Sequence, residues 1–211
     1  RVGIVGPTGA GKTSLVNALL RFWEYEGGSI RVTRSDGRGV ELRDMHGDDA
    51  RRLFSVMPQV PHLFHASLRE NLALATGSPL RSEGQRRSPP PCIAGLPEAA
   101  HFVSDAELLR ALDDAQLGDL VASLPDGLDT TVGETGRELS AGEARRVAFA
   151  RALLKEAPFV ILDEPTEALD EETAERMLES VSARLAGRTL IIITHRQRDL
   201  SIVEEVVRLS L

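Results

Sequence analysis

Eight consecutive residues, Gly6-Pro7-Thr8-Gly9-Ala10-Gly11-Lys12-Thr13, carry the pattern G-x-x-x-x-G-K-[ST]. Glycines in such a run let successive backbone N–H groups wrap a phosphate chain, and a helix opening at the lysine adds the positive potential of its first amides. Lys12 then reaches the β- and γ-oxygens of a nucleotide, and the Thr13 hydroxyl can ligate Mg²⁺. The chain is otherwise arginine-rich, with only Lys12 and Lys155 among its 25 basic residues. A compact ammonium on a flexible stem fits inside a phosphate cradle where a planar guanidinium does not. The bland alternative is a glycine-rich turn between a strand and a helix.

Two carboxylates, Asp163-Glu164, close the apolar run 159–162. Such a pair can divide its work: Asp163 is expected to hold Mg²⁺, directly or through water, and Glu164 to orient and polarise an attacking water. Taken alone, an acidic turn at a strand end explains them, and only the phosphate loop upstream gives them chemistry. His195 follows the run 190–193 in the same way, where an imidazole can bond a terminal phosphate or steer water, although a lone histidine there is more often incidental. His46, His62, His65 and His101 have no comparable setting and are read as surface or packing residues. Gln59 comes just after Ser55-Val56-Met57-Pro58, and a loop glutamine is ordinarily solvated. Leu139-Ser140-Ala141-Gly142-Glu143 precedes a helical pattern, with Ser140 and Glu143 at capping-box spacing. Capping explains the segment fully, yet a helix start with a serine hydroxyl and a glycine N–H is also an anion site. The phosphate loop already opens a different helix, so a functional segment here would serve a second nucleotide.

These residues need a scaffold that lines them up. The β-branched runs at Val2–Val5, 159–162 and 190–193 read as buried parallel strands, and the patterns at 12–23, 106–112, 144–154 and 173–185 read as helices. Leu15, Leu19 and Phe22 form one stripe of the first helix. Strands alternating with helices imply a parallel sheet, and ligands of such sheets sit beyond the carboxyl ends of the strands. The phosphate loop, Asp163-Glu164 and His195 all fall at those ends. Residues 76–103 break the pattern, with Pro79, Pro89, Pro90, Pro91 and Pro97 among Ser, Gly and Arg, and read as a mobile insertion with Arg86-Arg87 in a solvated loop.

Composition bounds the rest. The 211 residues are 42% hydrophobic with a formal charge of −7, which suits one large α/β unit, or a core with a smaller lobe, and excludes disorder and collagen-like structure. The negative balance gives no global pull towards nucleic acid, and no nucleic-acid partner is expected. Cys92 is single and cannot form an internal disulfide. No apolar run approaches the length of a membrane span, and no signal peptide opens the chain. The sequence starts inside a strand pattern without Met and stops on the strand-like Val206-Val207-Arg208-Leu209, so it reads as a fragment of something longer.

In this order the motifs resemble the ATP-binding cassette of ABC transporters over nearly the whole chain except 76–103. The resemblance implies a P-loop NTPase of α/β class, with a mainly parallel sheet core and a helical signature subdomain at about 60–157. It implies ATP bound by Gly6, Pro7, Thr8, Gly9, Ala10, Gly11, Lys12, Thr13 and Ser14, and Mg²⁺ held by Thr13, Gln59 and Asp163. Glu164, His195 and the Q-loop residue Gln59 would act in hydrolysis. Ala168, Leu169 and Asp170, after Glu167, would form a D-loop, and the signature Leu139–Glu143 would meet the ATP of a second cassette packed head to tail. Gln59-Val60-Pro61-His62-Leu63-Phe64-His65-Ala66-Ser67-Leu68-Arg69-Glu70-Asn71-Leu72 and Thr131-Val132-Gly133-Glu134-Thr135-Gly136 are similar to exporter cassettes.

Within exporters the runs Arg21-Phe22-Trp23, Pro61-His62-Leu63-Phe64, Asp163-Glu164-Pro165-Thr166-Glu167 and Thr194-His195-Arg196 are most similar to the CydC half of cysteine/glutathione exporters. That likeness implies a second cassette as partner, in a homodimer or a heterodimer with a CydD-like chain, a transmembrane domain fused upstream, and a place at the cytoplasmic face of the inner or plasma membrane. A soluble ABC-type ATPase of DNA repair or translation, or an exporter cassette for lipid or drug substrates, would share the nucleotide motifs. The signature departs from the usual pattern in having Ala141 for its first glycine and Glu143 for glutamine, and Glu167 stands where a D-loop serine is common. The aromatic residue that stacks on adenine in this family would lie upstream of Arg1.

Overall fold

The computed structural model describes residues 1–33, 36–76, 103–133 and 136–210. Most of the 76–103 segment, with Arg86, Arg87 and Cys92, lies outside them, as do His101, Glu134 and Thr135. In chain order the elements are β1 (Val2–Val5), α1 (Lys12–Leu19), β2 (Arg31–Thr33), β3 (Gly39–Glu41), α2 (Gly47–Arg52), β4 (Phe54–Met57), β5 (Ala66–Ser67), α3 (Leu68–Ala73), α4 (Asp105–Asp114), α5 (Gly118–Ser123), β6 (Thr131–Val132), α6 (Ala141–Leu154), β7 (Phe159–Asp163), α7 (Glu171–Arg184), β8 (Thr189–Ile193) and β9 (Glu205–Arg208). The chain divides into two compact units, one of residues 1–56, 157–163 and 188–211, the other of 57–156 and 164–187.

The first unit is built on a five-stranded sheet in the order β4-β7-β8-β1-β9. β1 pairs in parallel with both β8 and β9, and β7 pairs in parallel with β8. Val160, Ile161 and Leu162 of β7 are fully buried, as are Leu190, Ile192 and Ile193 of β8. Strands covered on both faces need an unbroken apolar run rather than alternation, which is why these segments stand out in the sequence. Parallel pairing brings the carboxyl ends of β1, β7 and β8 to one edge: Gly6 follows β1, Asp163 is the last residue of β7, and His195 comes two residues after β8.

The first helix ends earlier than its apolar stripe suggests. α1 stops at Leu19 because Arg21 adopts a left-handed backbone, φ 56°, and the amides of Phe22 and Trp23 turn back onto the Asn17 carbonyl. Arg21 then donates to the carbonyls of Leu42 and Arg43, which holds the turn in place. Phe22 and Trp23 are left 60% and 54% exposed, so Phe22 is not part of the buried face of α1.

The second unit is mainly helical, with β5 and β6 forming a short antiparallel pair. α6 is its centre: Val147, Ala148, Phe149, Ala150, Ala152 and Leu153 are all buried, so its last turns are covered nearly all round. The loop after β4 is tied to α6 by a buried polar network. Asn71, fully buried, accepts from the Phe64 amide at 2.9 Å and donates to the carbonyls of Phe64 and Ser67 at 2.9 and 3.0 Å. Arg151 donates to the Asn71 side chain, to its carbonyl at 2.7 Å and to the His62 carbonyl at 2.5 Å. Burial pulls the Arg151 guanidinium below its ordinary pKa, so these acceptors are what keep its charge tolerable.

Asn71→Leu keeps the volume but orphans the Phe64 amide and one arm of Arg151. Removing one side of a buried charged network costs about 3 kcal/mol or more. At this chain length that is a fall in Tm of roughly 6–12 °C, measured by calorimetry, and an unchanged Tm would show that the network does not hold the loop.

Candidate functional site

The phosphate loop owes its shape to two glycines. Gly9 and Gly11 have φ of 88° and 90°, in the left-handed region that side chains rarely adopt, and the Ala10 amide closes a turn onto the Pro7 carbonyl at 3.2 Å. Gly11 is the N-cap of α1 and brings no side-chain cap, and no acidic residue lies in the first turn. The contrast within the chain is informative. α4, α6 and α7 are each capped by a side-chain oxygen, from Ser104, Ser140 and Asp170, whereas α1, like the short α5, has no side-chain cap. Lys12 folds into the loop, its Nζ donating to the carbonyls of Gly6 at 2.8 Å and Pro7 at 3.0 Å. Thr13 and Ser14 are exposed at the head of the helix.

Asp163 is the last residue of β7, in register with Ile193, the last residue of β8. His195 follows two residues later and is exposed. Its loop is pinned from below: the Thr194 hydroxyl donates to the buried Asp199 carboxylate at 2.5 Å and accepts from the Arg196 amide at 3.0 Å, and the Thr194 amide donates to the Ile4 carbonyl at 3.1 Å. Nothing in the sequence motifs marked Asp199.

The second unit carries the remaining residues. Glu164 is 5% exposed and has φ 51°, an uncommon backbone for a residue other than glycine. After it the chain makes two tight turns, with the Glu167 amide donating to the Glu164 carbonyl and the Leu169 amide to the Thr166 carbonyl. Ala168 between them is again left-handed, φ 61°. Asp170 ends this D-loop-like segment by capping α7, accepting from the Thr173 amide at 2.9 Å, a contact that with the Thr173 side chain holds its carboxyl below the usual range. Gln59 is exposed two residues beyond β4.

At the signature, α6 begins at Ala141, three residues before its apolar pattern, because Ser140 and Glu143 form the expected capping box. The Ser140 hydroxyl accepts from the Glu143 amide at 3.2 Å and donates to the Glu143 carboxylate at 2.8 Å, which also takes the Ser140 amide at 2.7 Å. Burial would raise the Glu143 carboxyl, but the Ser140 hydrogen bonds and the nearby Arg137 and Arg146 bring it net below its ordinary value. The same box caps α3 and α4, so capping by itself does not single this helix out. Ala141, in ordinary helical position, is exposed, and a Cβ at Gly142 would make only ordinary contacts with Ala168 and Leu169.

The sequence profile described as ABC transporter matches residues 1–167. The chain belongs to the ABC transporter family. It is 37% identical over 209 residues to an ATP-dependent lipid A-core flippase of Ralstonia nicotianae, covering 99% of this chain and 31% of that protein. It is equally 37% identical, over 206 residues, to the glutathione/L-cysteine transport system ATP-binding/permease protein CydC of Escherichia coli, covering 98% of this chain and 30% of that one. Among solved structures, a bacterial Atm1-family ABC exporter with ATP bound superposes with a TM-score of 0.79 at 32% identity, over all of this chain and 32% of that one. The chain therefore spans about a third of the length of these relatives, and the α/β sheet with its helical unit is the ABC ATPase fold, with ATP as its nucleotide. Among the described residues no helix is long and apolar enough to cross a membrane.

Proposed function

We propose that this chain is the ATP-hydrolysing motor of an ABC exporter, working at the cytoplasmic face of a membrane beside transmembrane helices and a second cassette. The observation that carries it is the uncapped start of α1 with Lys12 turned into the loop, in a chain of this family. Gly6–Ser14 hold the ATP phosphates, Glu164 polarises the attacking water, and His195 steers the water or the terminal phosphate. The donors fit Mg²⁺: the Thr13 hydroxyl, the Asp163 carboxylate and the Gln59 amide oxygen are hard oxygen ligands, and among the described residues no cluster of three or more His, Cys, Asp or Glu forms an all-protein cage. An ion held by a few protein oxygens together with substrate phosphates supplies charge neutralisation as the γ-phosphate leaves. Ser140 and Gly142 at the head of α6 serve the nucleotide of the partner cassette, which requires the Ser140 hydroxyl to leave the Glu143 carboxylate.

The cargo reading follows two likenesses of equal strength, a cysteine or glutathione exporter and a lipid flippase. We favour the thiol on the CydC-like runs 163–167 and 194–196. Inside-out vesicles holding the full-length protein should accumulate labelled glutathione or cysteine only with hydrolysable ATP. ATP-dependent movement of a fluorescent lipid without thiol uptake would assign the lipid cargo instead, and hydrolysis with no membrane partner would overturn the exporter reading.

A further inference from the structure

One half-buried guanidinium in the second unit has no part in the nucleotide chemistry above. Arg145 lies on α6 five residues after Ser140, and its side chain is 11% exposed. Its Nη1 donates to the Glu164 carbonyl at 2.7 Å, and its Nη2 to the Gln59 carbonyl at 2.9 Å and to Glu167 Oε2 at 2.7 Å. One planar group therefore joins three segments: the loop after β4, the backbone of the water-polarising glutamate, and the turn that follows it. Bonds from a charged donor at these lengths are stronger than neutral ones, and the rigid fork fixes the directions of its acceptors as an ammonium would not.

The segment it grips needs holding. Glu164 and Ala168 both sit in the left-handed region, a conformation that persists only where surrounding contacts over-determine it. The Glu164 carbonyl is taken from two sides, by Arg145 and by the Glu167 amide, while the Glu167 side chain is anchored to the same guanidinium. With its carbonyl fixed at the next peptide, Glu164 has its Cα–Cβ direction set.

We propose that Arg145 is a positioning residue for Glu164, and that it makes the Gln59 loop, the Glu164–Asp170 turn and the signature helix α6 move as one body. This rests on the reading of Glu164 as the water-polarising carboxylate. A nucleotide meeting the head of α6 therefore reports its presence to Glu164 through the side chain of Arg145.

Arg145→Gln, Glu167→Gln and the double variant of the full-length protein test this. ATP affinity by titration calorimetry should stay within about twofold of the parent, while kcat falls about 30-fold in Arg145→Gln and about fivefold in Glu167→Gln, and the double variant is no slower than Arg145→Gln. Losses that multiply in the double variant, an equal loss of affinity, or a kcat within about threefold of the parent in folded Arg145→Gln would overturn the assignment. Should Arg145→Gln fail to fold, Glu167→Gln decides, because its carboxylate is 36% exposed and its loss leaves both carbonyl bonds intact; an unchanged kcat there also overturns it. If Lys12→Ala and Glu164→Gln leave hydrolysis untouched, the nucleotide reading falls and takes this one with it. If those two abolish hydrolysis and Arg145→Gln does not, only Arg145 loses its role.

Discussion

Lys12→Ala should weaken ATP binding by at least about 100-fold, or about 2.7 kcal/mol, in titration calorimetry. Hydrogen bonds to a charged group contribute roughly 1.5–3 kcal/mol each, and an ammonium between the β- and γ-phosphates makes more than one of them. The structure holds Nζ inside the loop, on the carbonyls of Gly6 and Pro7. The loop itself should survive the change. Its turn depends on the backbones of Gly9 and Gly11 and on the Ala10-to-Pro7 hydrogen bond, none of which involves the lysine side chain. Thermal stability without nucleotide should fall by no more than the two lysine hydrogen bonds to Gly6 and Pro7 contribute, while the stabilisation conferred by ATP disappears. Affinity kept at the parental level would remove the loop from nucleotide binding.

The parts of the site that were legible from sequence share a property: their chemistry and their backbone requirement fall on the same few residues. Gly9, Gly11 and Lys12 announce a turn, a helix start and a charge together, and Ser140 with Glu143 announces a cap at fixed spacing. Asp163 and His195 could be placed because buried parallel strands leave continuous apolar runs, and both residues stand where such a run ends. Element ends were less legible. Nothing in the pattern of Leu15, Leu19 and Phe22 shows that Arg21 will turn left-handed, since the cause lies in the carbonyls of Leu42 and Arg43, about twenty residues on. The polar network was illegible for the same reason. Arg145 meets Gln59 across 86 positions and Arg151 meets Asn71 across 80, and an arginine on a helix carries no mark of such a partner.

Glu164→Gln separates binding from turnover. The substitution preserves side-chain volume at a position only 5% exposed, and the amide fits the same left-handed backbone as well as the acid does. On the proposed reading the phosphates are held by Gly6–Ser14 and not by Glu164, so ATP should bind with the parental Kd. The attacking water, however, loses a carboxylate that can take its proton and gains an amide that cannot, and general-base assistance contributes roughly 10²- to 10⁴-fold. The expected result is a fall in kcat of about that size with Kd unchanged, the signature of an interaction made only in the transition state. Arg145→Gln should reproduce the pattern in weaker form, because it leaves the carboxylate present and only loosens its aim. A Glu164→Gln variant that hydrolyses at the parental rate would mean that another group polarises the water. His195 would then be the first to examine, since it follows the end of β8, the strand beside the one that ends in Asp163.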